Sequence, residues 1–327
     1  MKAIVYTQYG TPNVMKLKQV EKPESGDNEI LIKVHAVSVN YADWHALTGT
    51  PYIARIAFGF FRPRNVILGA DIAGTVEKVG RNVGLFKPGD AVYGDLGLHG
   101  FGGFAEYICV KEEWIAHKPE NLTFAQAAAV PMAAVTALQA LRDHGQVQPG
   151  QKVLIHGAAG GVGTFAVQLA KYFGAHVTAV CSSRNTDLAS SLGADEVIDY
   201  AREDFSANGH RYDLILGING NRSINDYRRV LSPHGRYLMI GGSDRQIFQA
   251  MILGPLLSKK DGINMGGMTG RTNPKDLAFI KDLLEAGKIR PVIDRSYPLE
   301  ETHAALRYIG EGHARGKVVI HVVDEGK

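Results

Sequence analysis

Seven residues, Gly157-Ala158-Ala159-Gly160-Gly161-Val162-Gly163, follow the apolar run Lys152–His156 and lead into an amphipathic stretch over Val162–Phe173 that stops at Gly174. A strand running straight into small residues and then a helix suits one kind of chemistry. The backbone can approach a diphosphate closely, and the helix N-terminus offers it unpaired N–H groups and the positive end of a dipole. Gly163 would let the helix pack tightly on the strand. The strict G-x-G-x-x-G spacing is altered, with Ala158 at its first position and Gly160 and Gly163 following. No Gly-Lys-Ser/Thr closes the loop, so a P-loop is excluded. Glycines alone would also fit a merely tight turn. A second strand candidate at the expected distance, His176–Cys181, favours a dinucleotide site with Ala159, Gly160, Gly161, Val162 and Gly163 as its cradle.

The second strand bears on the choice of cofactor. An acidic residue about 20 positions beyond the glycines would bond the ribose 2′-hydroxyl of NAD. Here the strand runs into Cys181-Ser182-Ser183-Arg184-Asn185, without a carboxylate. Two hydroxyls and a guanidinium suit a 2′-phosphate through charge-assisted bonds, so Ser182, Ser183 and Arg184 predict NADPH over NADH. A methyltransferase would share the glycine-rich turn, but normally carries an acid at this second position.

Other elements must hold these residues in place. Thr186–Leu192 reads as a helix, and Glu196–Asp199, Asp213–Leu216 and Arg236–Ile240 as strands. Such alternation of strands and helices predicts an open parallel sheet with helices on both faces. Residues 1–120 read differently, as strands and turns: Glu29–Asn40 and Asp71–Val79 alternate apolar and polar residues with period two. Short strands at regular spacing suggest a barrel or sandwich. The change of pattern comes near residue 122. There Thr123-x-x-Gln126 has the form of a capping box, ahead of an Ala-rich helical stretch to about His144. Asn273-Pro274 opens another helix, Leu299–Ile309 is a further one, and Lys317–Val323 is a late strand.

Composition narrows the class. The 327 residues divide into roughly two domains at about 150 each. Thirty-six Lys and Arg against 33 Asp and Glu give a net charge of +3 with no basic run, which argues against nucleic acid as a partner. The two cysteines, Cys109 and Cys181, exclude a disulfide framework and a four-cysteine zinc lobe. No signal-peptide core is seen, and the apolar runs Ala125–Leu141 and Ile247–Leu257 are too short or too interrupted to span a membrane. The expectation is a cytoplasmic enzyme or binding protein for a small molecule.

The stretches HGAAGGVGTFAVQLAK, SLGADEVIDY and GHARGKVVI, with VNYADWHALTGTPY, LGADIAGTVEKVG, KPGDAVYG and VPMAAVTALQAL, together resemble the zinc-independent branch of the medium-chain dehydrogenase/reductase superfamily. That branch contains quinone oxidoreductases and enone or enal reductases. The resemblance implies an α/β protein: a GroES-like, mostly β catalytic domain over 1–122 and 290–327, and a doubly wound Rossmann domain over 123–289. Zinc-dependent relatives place a cysteine at the end of the strand corresponding to Glu29–Asn40 and a histidine in a Gly-His-Glu motif. This chain has Asn40 and, within Gly69-Ala70-Asp71, Ala70. A catalytic zinc needs about three His, Cys or carboxylate ligands, so no metal is expected. Alcohol oxidation commonly relies on a Lewis acid at the alkoxide. Without one, hydride transfer suits an acceptor already conjugated: a quinone, enone or enal. An alcohol dehydrogenase and a non-catalytic NADPH-binding protein are the competing readings.

Carried over position by position, the resemblance implies that Asn40 contacts the nicotinamide ribose or the substrate oxygen, and that Tyr52 stands on the substrate side, as proton donor or as a wall of the cleft; the proton comes from Tyr52, from water ordered by Asn40 or from bulk solvent. It puts Thr136 on the nicotinamide side, Tyr200 near the adenosine phosphate, and Asn219, Gly241 and Gly242 against the cofactor from strand ends. Arg315 and Lys317 would lie where the C-terminal segment returns to the cofactor, with Lys317 meeting a phosphate or ribose. Asp43 reads as structural. Ile53–Arg64, apolar and aromatic, would shape the pocket or serve as core or dimer contact. Relatives commonly dimerise edge to edge through their Rossmann sheets, which here suggests Gln246–Leu257.

Overall fold

A computed structural model describes residues 1–52, 55–220, 222–242, 244–258 and 262–323. The strands of the N-terminal part are β1 (Lys2–Val5), β2 (Lys16–Gln19), β3 (Glu29–Val39), β4 (Asp71–Val79), β5 (Ala91–Asp95), β6 (Tyr107–Lys111) and β7 (Ile115–His117). Then come β8 (Lys152–His156), β9 (His176–Cys181), β10 (Glu196–Asp199), β11 (Tyr212–Gly217), β12 (Leu231–Met239) and β13 (Asn264–Gly267). The last two are β14 (Ile293–Pro298) and β15 (Lys317–His321). The chain forms two compact units, one of residues 1–132, 271–287 and 291–327, the other of residues 133–270 and 288–290.

The first unit is built on a seven-stranded sheet of order β14-β15-β3-β4-β5-β7, with β6 paired to β3 off that path. Strand β3 organises it. The Glu29–Lys33 half pairs with β6, the Ala36–Val39 half pairs antiparallel with β15, and β4 runs along its other edge. Its Ile30, Ile32, Val34, Val37 and Val39 are buried with Ile72, Leu47, Leu306 and Ile320 in one core. Register then brings four strand ends together: Ser38 faces Asp71, Asp71 faces Asp95, and Val39 faces Val318, next to Lys317.

Not everything in 1–120 is strand and turn. Tyr41–Thr48 is a helix, started at Asn40 and ended by Gly49, whose φ of 63° is open to glycine. The capping box Thr123/Gln126 is present, but the helix it starts ends after Ala128. Pro131, which has no N–H and clashes with a preceding turn, opens a new helix, Pro131–Gln139, continued by a π-turn over Ala140–His144.

The second unit carries a fully parallel six-stranded sheet of order β10-β9-β8-β11-β12-β13. Numbered from β8, this is the 3-2-1-4-5-6 order of a dinucleotide-binding domain, with its switch point beside β8. Strands β8 to β11 follow the sequence expectation to within a residue. β13, Asn-Met-Gly-Gly, carried no strand signal because asparagine and glycine are poor strand formers.

Candidate active site

In the second unit, five of the predicted positions lie at the carboxyl ends of adjacent parallel strands. The glycine turn follows β8, Ser182–Arg184 follow β9, Tyr200 follows β10, Asn219 follows β11 and Gly241 follows β12. The helix Gly161–Tyr172 begins at Gly160, in extended backbone, and no side chain caps it. Its first N–H groups are therefore left to a ligand. The glycines divide the work. A Cβ at Gly163 would lie 2.1 Å from the Gly157 carbonyl oxygen, so Gly163 sets the helix against the strand. A Cβ at Gly160 would meet only that same oxygen, at 3.6 Å, so Gly160 faces open space. Gly157, at φ 94°, has the Asn219 backbone against it, where a Cβ would lie 2.8 Å from the Asn219 nitrogen. The turn is a cradle whose open side a side chain would fill, and it fits a dinucleotide diphosphate.

Beneath the turn lies a pair that the sequence did not single out. His156, the last residue of β8, is buried, with Nδ1 2.9 Å from the Tyr227 hydroxyl. Burial, helped by Arg222, pushes its pKa down to about 4, so the imidazole is neutral at pH 7. Gly220 packs against both rings: a Cβ there would lie 2.1 Å from the Tyr227 oxygen. Only the topology, bringing β11 beside β8, puts these residues under the phosphate turn.

The ribose end of the site is less simple than the sequence implied. Ser183 and Arg184 are exposed. However, β10 pairs with β9 so that Asp199 faces Cys181, and the Ser183 hydroxyl donates to the Asp199 carboxylate. That bond holds the Asp199 pKa below its usual value. An ionised carboxylate therefore stands beside the serines after all, supplied by the neighbouring strand, with Arg202 3.5 Å from it. Tyr200 is exposed, and its N–H donates to the Cys181 carbonyl. Thr136 is buried under Gly270, and Gly241 and Gly242 are half-buried.

In the first unit, Asn40, Asp71 and Lys317 form one buried cluster. Lys317, 3% exposed, donates to Asn40 Oδ1 and pairs with Asp71 Oδ2 at 3.3 Å. Asn40 Nδ2 donates to Asp71 Oδ2 at 3.0 Å and to the Ser38 carbonyl at 3.2 Å. The Ser38 hydroxyl donates to Asp71 Oδ2 at 3.2 Å, and the Met132 N–H, at the start of its helix, donates to Oδ1 at 2.9 Å. Asp43 accepts the N–H groups of Asn40 (2.8 Å) and Gly69 (2.9 Å). Asp95 accepts from Gly97 N–H and from Thr272. Burial pushes Asp43 up to about 7. It raises Asp71 as well, against the pull of Lys317, and raises Asp95.

The resemblance put Lys317 against a phosphate or ribose of the cofactor; in the structure its ammonium donates to Asn40 and pairs with Asp71. Arg315, exposed, holds the Asp294 carboxylate with its backbone N–H at 2.8 Å. Tyr52 is 74% exposed, with the Arg55 guanidinium 4.7 Å above its ring. Of Ile53–Arg64, Ile53 and Ala54 lie outside the described residues. Phe60 and Phe61, 65% and 90% exposed, are not core.

Comparison with known proteins decides the family. The family profile described as alcohol dehydrogenase GroES-like domain matches residues 26–120, and that described as zinc-binding dehydrogenase matches residues 192–320. The chain is 36% identical to the quinone-oxidoreductase QR1, chloroplastic, of Triphysaria versicolor over 333 residues, 98% of each chain. It belongs to the medium-chain dehydrogenase/reductase family, in the quinone oxidoreductase-like branch. The 2-methylene-furan-3-one reductase of Solanum lycopersicum is 35% identical, over 99% of this chain and 79% of that one. The solved quinone oxidoreductase from Coxiella burnetii superposes with a TM-score of 0.87 at 34% identity, covering 99% of both chains. The chain is an oxidoreductase with a nicotinamide cofactor.

The zinc in one of those profile names does not fit these residues. Where zinc-dependent relatives carry ligands, this chain has an amide already bonded to an ammonium, and a methyl group at Ala70. Among the described residues, no group of three or more His, Cys, Asp or Glu could hold a metal. No described helix is long and apolar enough to cross a membrane.

Proposed function

We propose that this chain is an NADPH-dependent reductase of quinones or α,β-unsaturated carbonyls that works without a metal. The observation carrying this reading is the Lys317 ammonium on Asn40 Oδ1, at a position where a metal-dependent relative has a ligand. A fixed cation disfavours a divalent one beside it, and a site without a Lewis acid suits an acceptor already electrophilic by conjugation. The names of the Triphysaria and Solanum relatives agree with such acceptors.

NADPH, when bound, supplies the hydride. The N–H groups of Gly161, Val162 and Gly163, with the small Ala159 and Gly160, hold its diphosphate. Ser182, Ser183 and Arg184 take the 2′-phosphate, against the opposing charge of Asp199, and Tyr200 lies on the adenosine side. Asn219, Gly241 and Gly242 shield the cofactor along the strand ends, and Thr136 bounds its nicotinamide end. Arg315 belongs to the returning segment. As the carbonyl or quinone oxygen gains charge, the Tyr52 O–H bond breaks and its proton passes to that oxygen. The exposed phenolate then recovers a proton from water.

A homodimer through Gln246–Leu257 completes the proposal. Phe248, Met251, Ile252 and Leu256 there are exposed apolar side chains, and β13 is an edge strand. Two cysteines, too few for a disulfide framework, support a cytoplasmic location. The test is turnover of NADPH with a panel of quinones, enones and enals, with metal analysis of the same protein. Oxidation of NADPH by at least one panel member, undiminished by chelators, is expected. Tight NADPH binding with no turnover, or activity that tracks stoichiometric zinc, overturns it.

A further inference from the structure

The segment from Trp44 to Ala70 carries three arginines, Arg55, Arg62 and Arg64, and no lysine, aspartate or glutamate. The acids on either side of it, Asp43 and Asp71, are both buried. The segment is also apolar at its surface. Phe60 and Phe61 are 65% and 90% exposed, and Ile56 is 71% exposed. Single exposed apolar side chains are ordinary, but two adjacent rings with a third apolar side chain one turn earlier mark an interaction surface. The loop is built to hold the rings out. Phe58 packs on the core of the first unit, with its ring centroid 5.9 Å from that of Phe101. The Arg64 N–H donates to the Phe58 carbonyl at 2.8 Å, and the Tyr9 hydroxyl donates to the Gly59 carbonyl. Gly59, at φ 119°, is buried, and a Cβ there would lie 2.2 Å from the Arg62 carbonyl oxygen. Both ends of the turn are thus pinned, while Phe60 and Phe61 pack edge to face at 5.0 Å on its outer side.

We infer that the loop Gly59–Arg64 docks the chain on the surface of a bilayer containing anionic lipids, with Phe60 and Phe61 entering the headgroup region and Arg62 and Arg64 against the lipid phosphates. Charge complementarity names this occupant. Arg62 and Arg64 are exposed beside the rings, and each cation near an anionic bilayer adds an attraction that salt screens. The parts of the chain packed against the loop bring no opposing charge: residues 7–13, around Tyr9, and 96–105, around Phe101, contain no acid. Shape argues in the same direction. Two protruding rings set at 83° to each other offer no common face on which successive bases could stack. A fluid interface takes up such a wedge without a matching pocket. The chain would lie on the bilayer, not cross it. This inference is independent of the functional reading, since docking needs neither cofactor nor acceptor.

Flotation of the full chain with vesicles of two parts phosphatidylcholine to one part phosphatidylserine tests this. Binding is expected to be about tenfold tighter than to phosphatidylcholine alone, and to weaken as salt is raised. The double variant F60A/F61A is expected to bind the mixed vesicles at least about tenfold more weakly, from the lost burial of two rings. R62Q/R64Q is expected to lose about tenfold, from two lost cations. Leu85→Ala, at an apolar side chain 67% exposed elsewhere in the first unit, is expected to change nothing. All these side chains are exposed, so every variant is expected to keep the wild-type Tm. Phe61→Trp reports insertion directly, by a blue shift of its fluorescence on the mixed vesicles. No binding to the mixed vesicles, or binding that F60A/F61A leaves unchanged, overturns the inference. So does a dimer that F60A/F61A dissociates while the wild type ignores vesicles, which would make this face a contact between two copies. Binding of single-stranded RNA in place of vesicles, lost in the same variant, overturns it as well.

Discussion

In the first unit one ammonium, Lys317, and one carboxylate, Asp71, are buried on either side of a single amide, and the buried Asp43 and Asp95 interact with Asp71 through charge. In the second, the phosphate turn carries no charged side chain, and the buried group beneath it, His156, is neutral. Both arrangements fix an atom to within a hydrogen bond's length, by different means. The turn relies on absent side chains: backbone N–H groups are positioned by close packing that only glycine permits. The cluster relies on mutual satisfaction, since every Asp71 oxygen has a donor and the Asn40 amide is oriented by charges on either side. The first device tolerates no added volume, and the second tolerates no lost partner.

The largest effect is expected from Lys317→Met. Removing one partner of a buried ion pair costs about 3–5 kcal/mol, measured here as a fall in urea unfolding free energy of the first unit. A loss below about 1 kcal/mol would erase the contrast drawn above. Next come two glycines of the turn. Gly163→Ala forces its Cβ against the Gly157 oxygen, and overpacking of this kind costs about 1–3 kcal/mol. Gly160→Ala meets nothing closer than 3.6 Å, so the fold should keep its stability while NADPH binding weakens, because the methyl group enters the cradle. Calorimetry with NADPH titration separates the two, and equal behaviour of both variants would break the division of labour.

A smaller effect concerns cofactor choice. Arg184→Ala should lower the preference for NADPH over NADH about tenfold, the size of one charge-assisted contact. Asp199→Asn should raise it, by removing the carboxylate on Ser183. Ratios of kcat/KM for the two cofactors measure both, and an unchanged ratio in either variant removes that residue from the choice.

The smallest effect is the response to pH, which should have opposite signs in the two units. Folding raises the Asp43 carboxyl from an ordinary value near 3.9 to about 7, and raises Asp71 and Asp95 in the same direction. The folded unit then binds more protons than the unfolded chain, so these groups add stability as pH falls from about 7 toward 4. Folding lowers His156 from about 6.5 to about 4, so the unfolded chain binds more protons and stability is lost over about 6.5 to 4. Asp199 and Asp204, both held below their usual values, act in the same direction as His156 at the lower end of that range. Hydrogen exchange followed across this range should show the second unit loosening before the first. Simultaneous loosening would count against the contrast.

Local signals in the sequence carried much of the fold. Strand, glycine turn and helix are neighbours in the chain, so Lys152–Tyr172 is legible from composition and spacing alone. The capping box at Thr123 is likewise complete within four residues. Misreadings came where the deciding partner lay far along the chain. The break of the Ala-rich stretch is an exception, since Pro131 marks it locally; what lay far off is the Asp71 carboxylate that receives the Met132 N–H of the new helix. The helix after Asn40 and the glycine-rich β13 lack periodic signals and are held by their neighbours. The absence of an acid after β9 was a correct reading of that segment. It missed Asp199, which is 16 residues past Ser183 in sequence but hydrogen-bonded to it in space.

The sequence by itself determined that β8 runs into a helix through a turn without bulky side chains, because that depends only on the residue types of a few consecutive positions. It also determined that two expected zinc ligands are replaced. Only the tertiary structure decided what stands there instead. Lys317 is 277 residues from Asn40 and Asp71 is 31 residues away, and no local pattern relates them. Strand register brings them to one sheet end. There burial lowers the dielectric, so that charge and hydrogen-bond direction, rather than residue type alone, determine which face the amide presents.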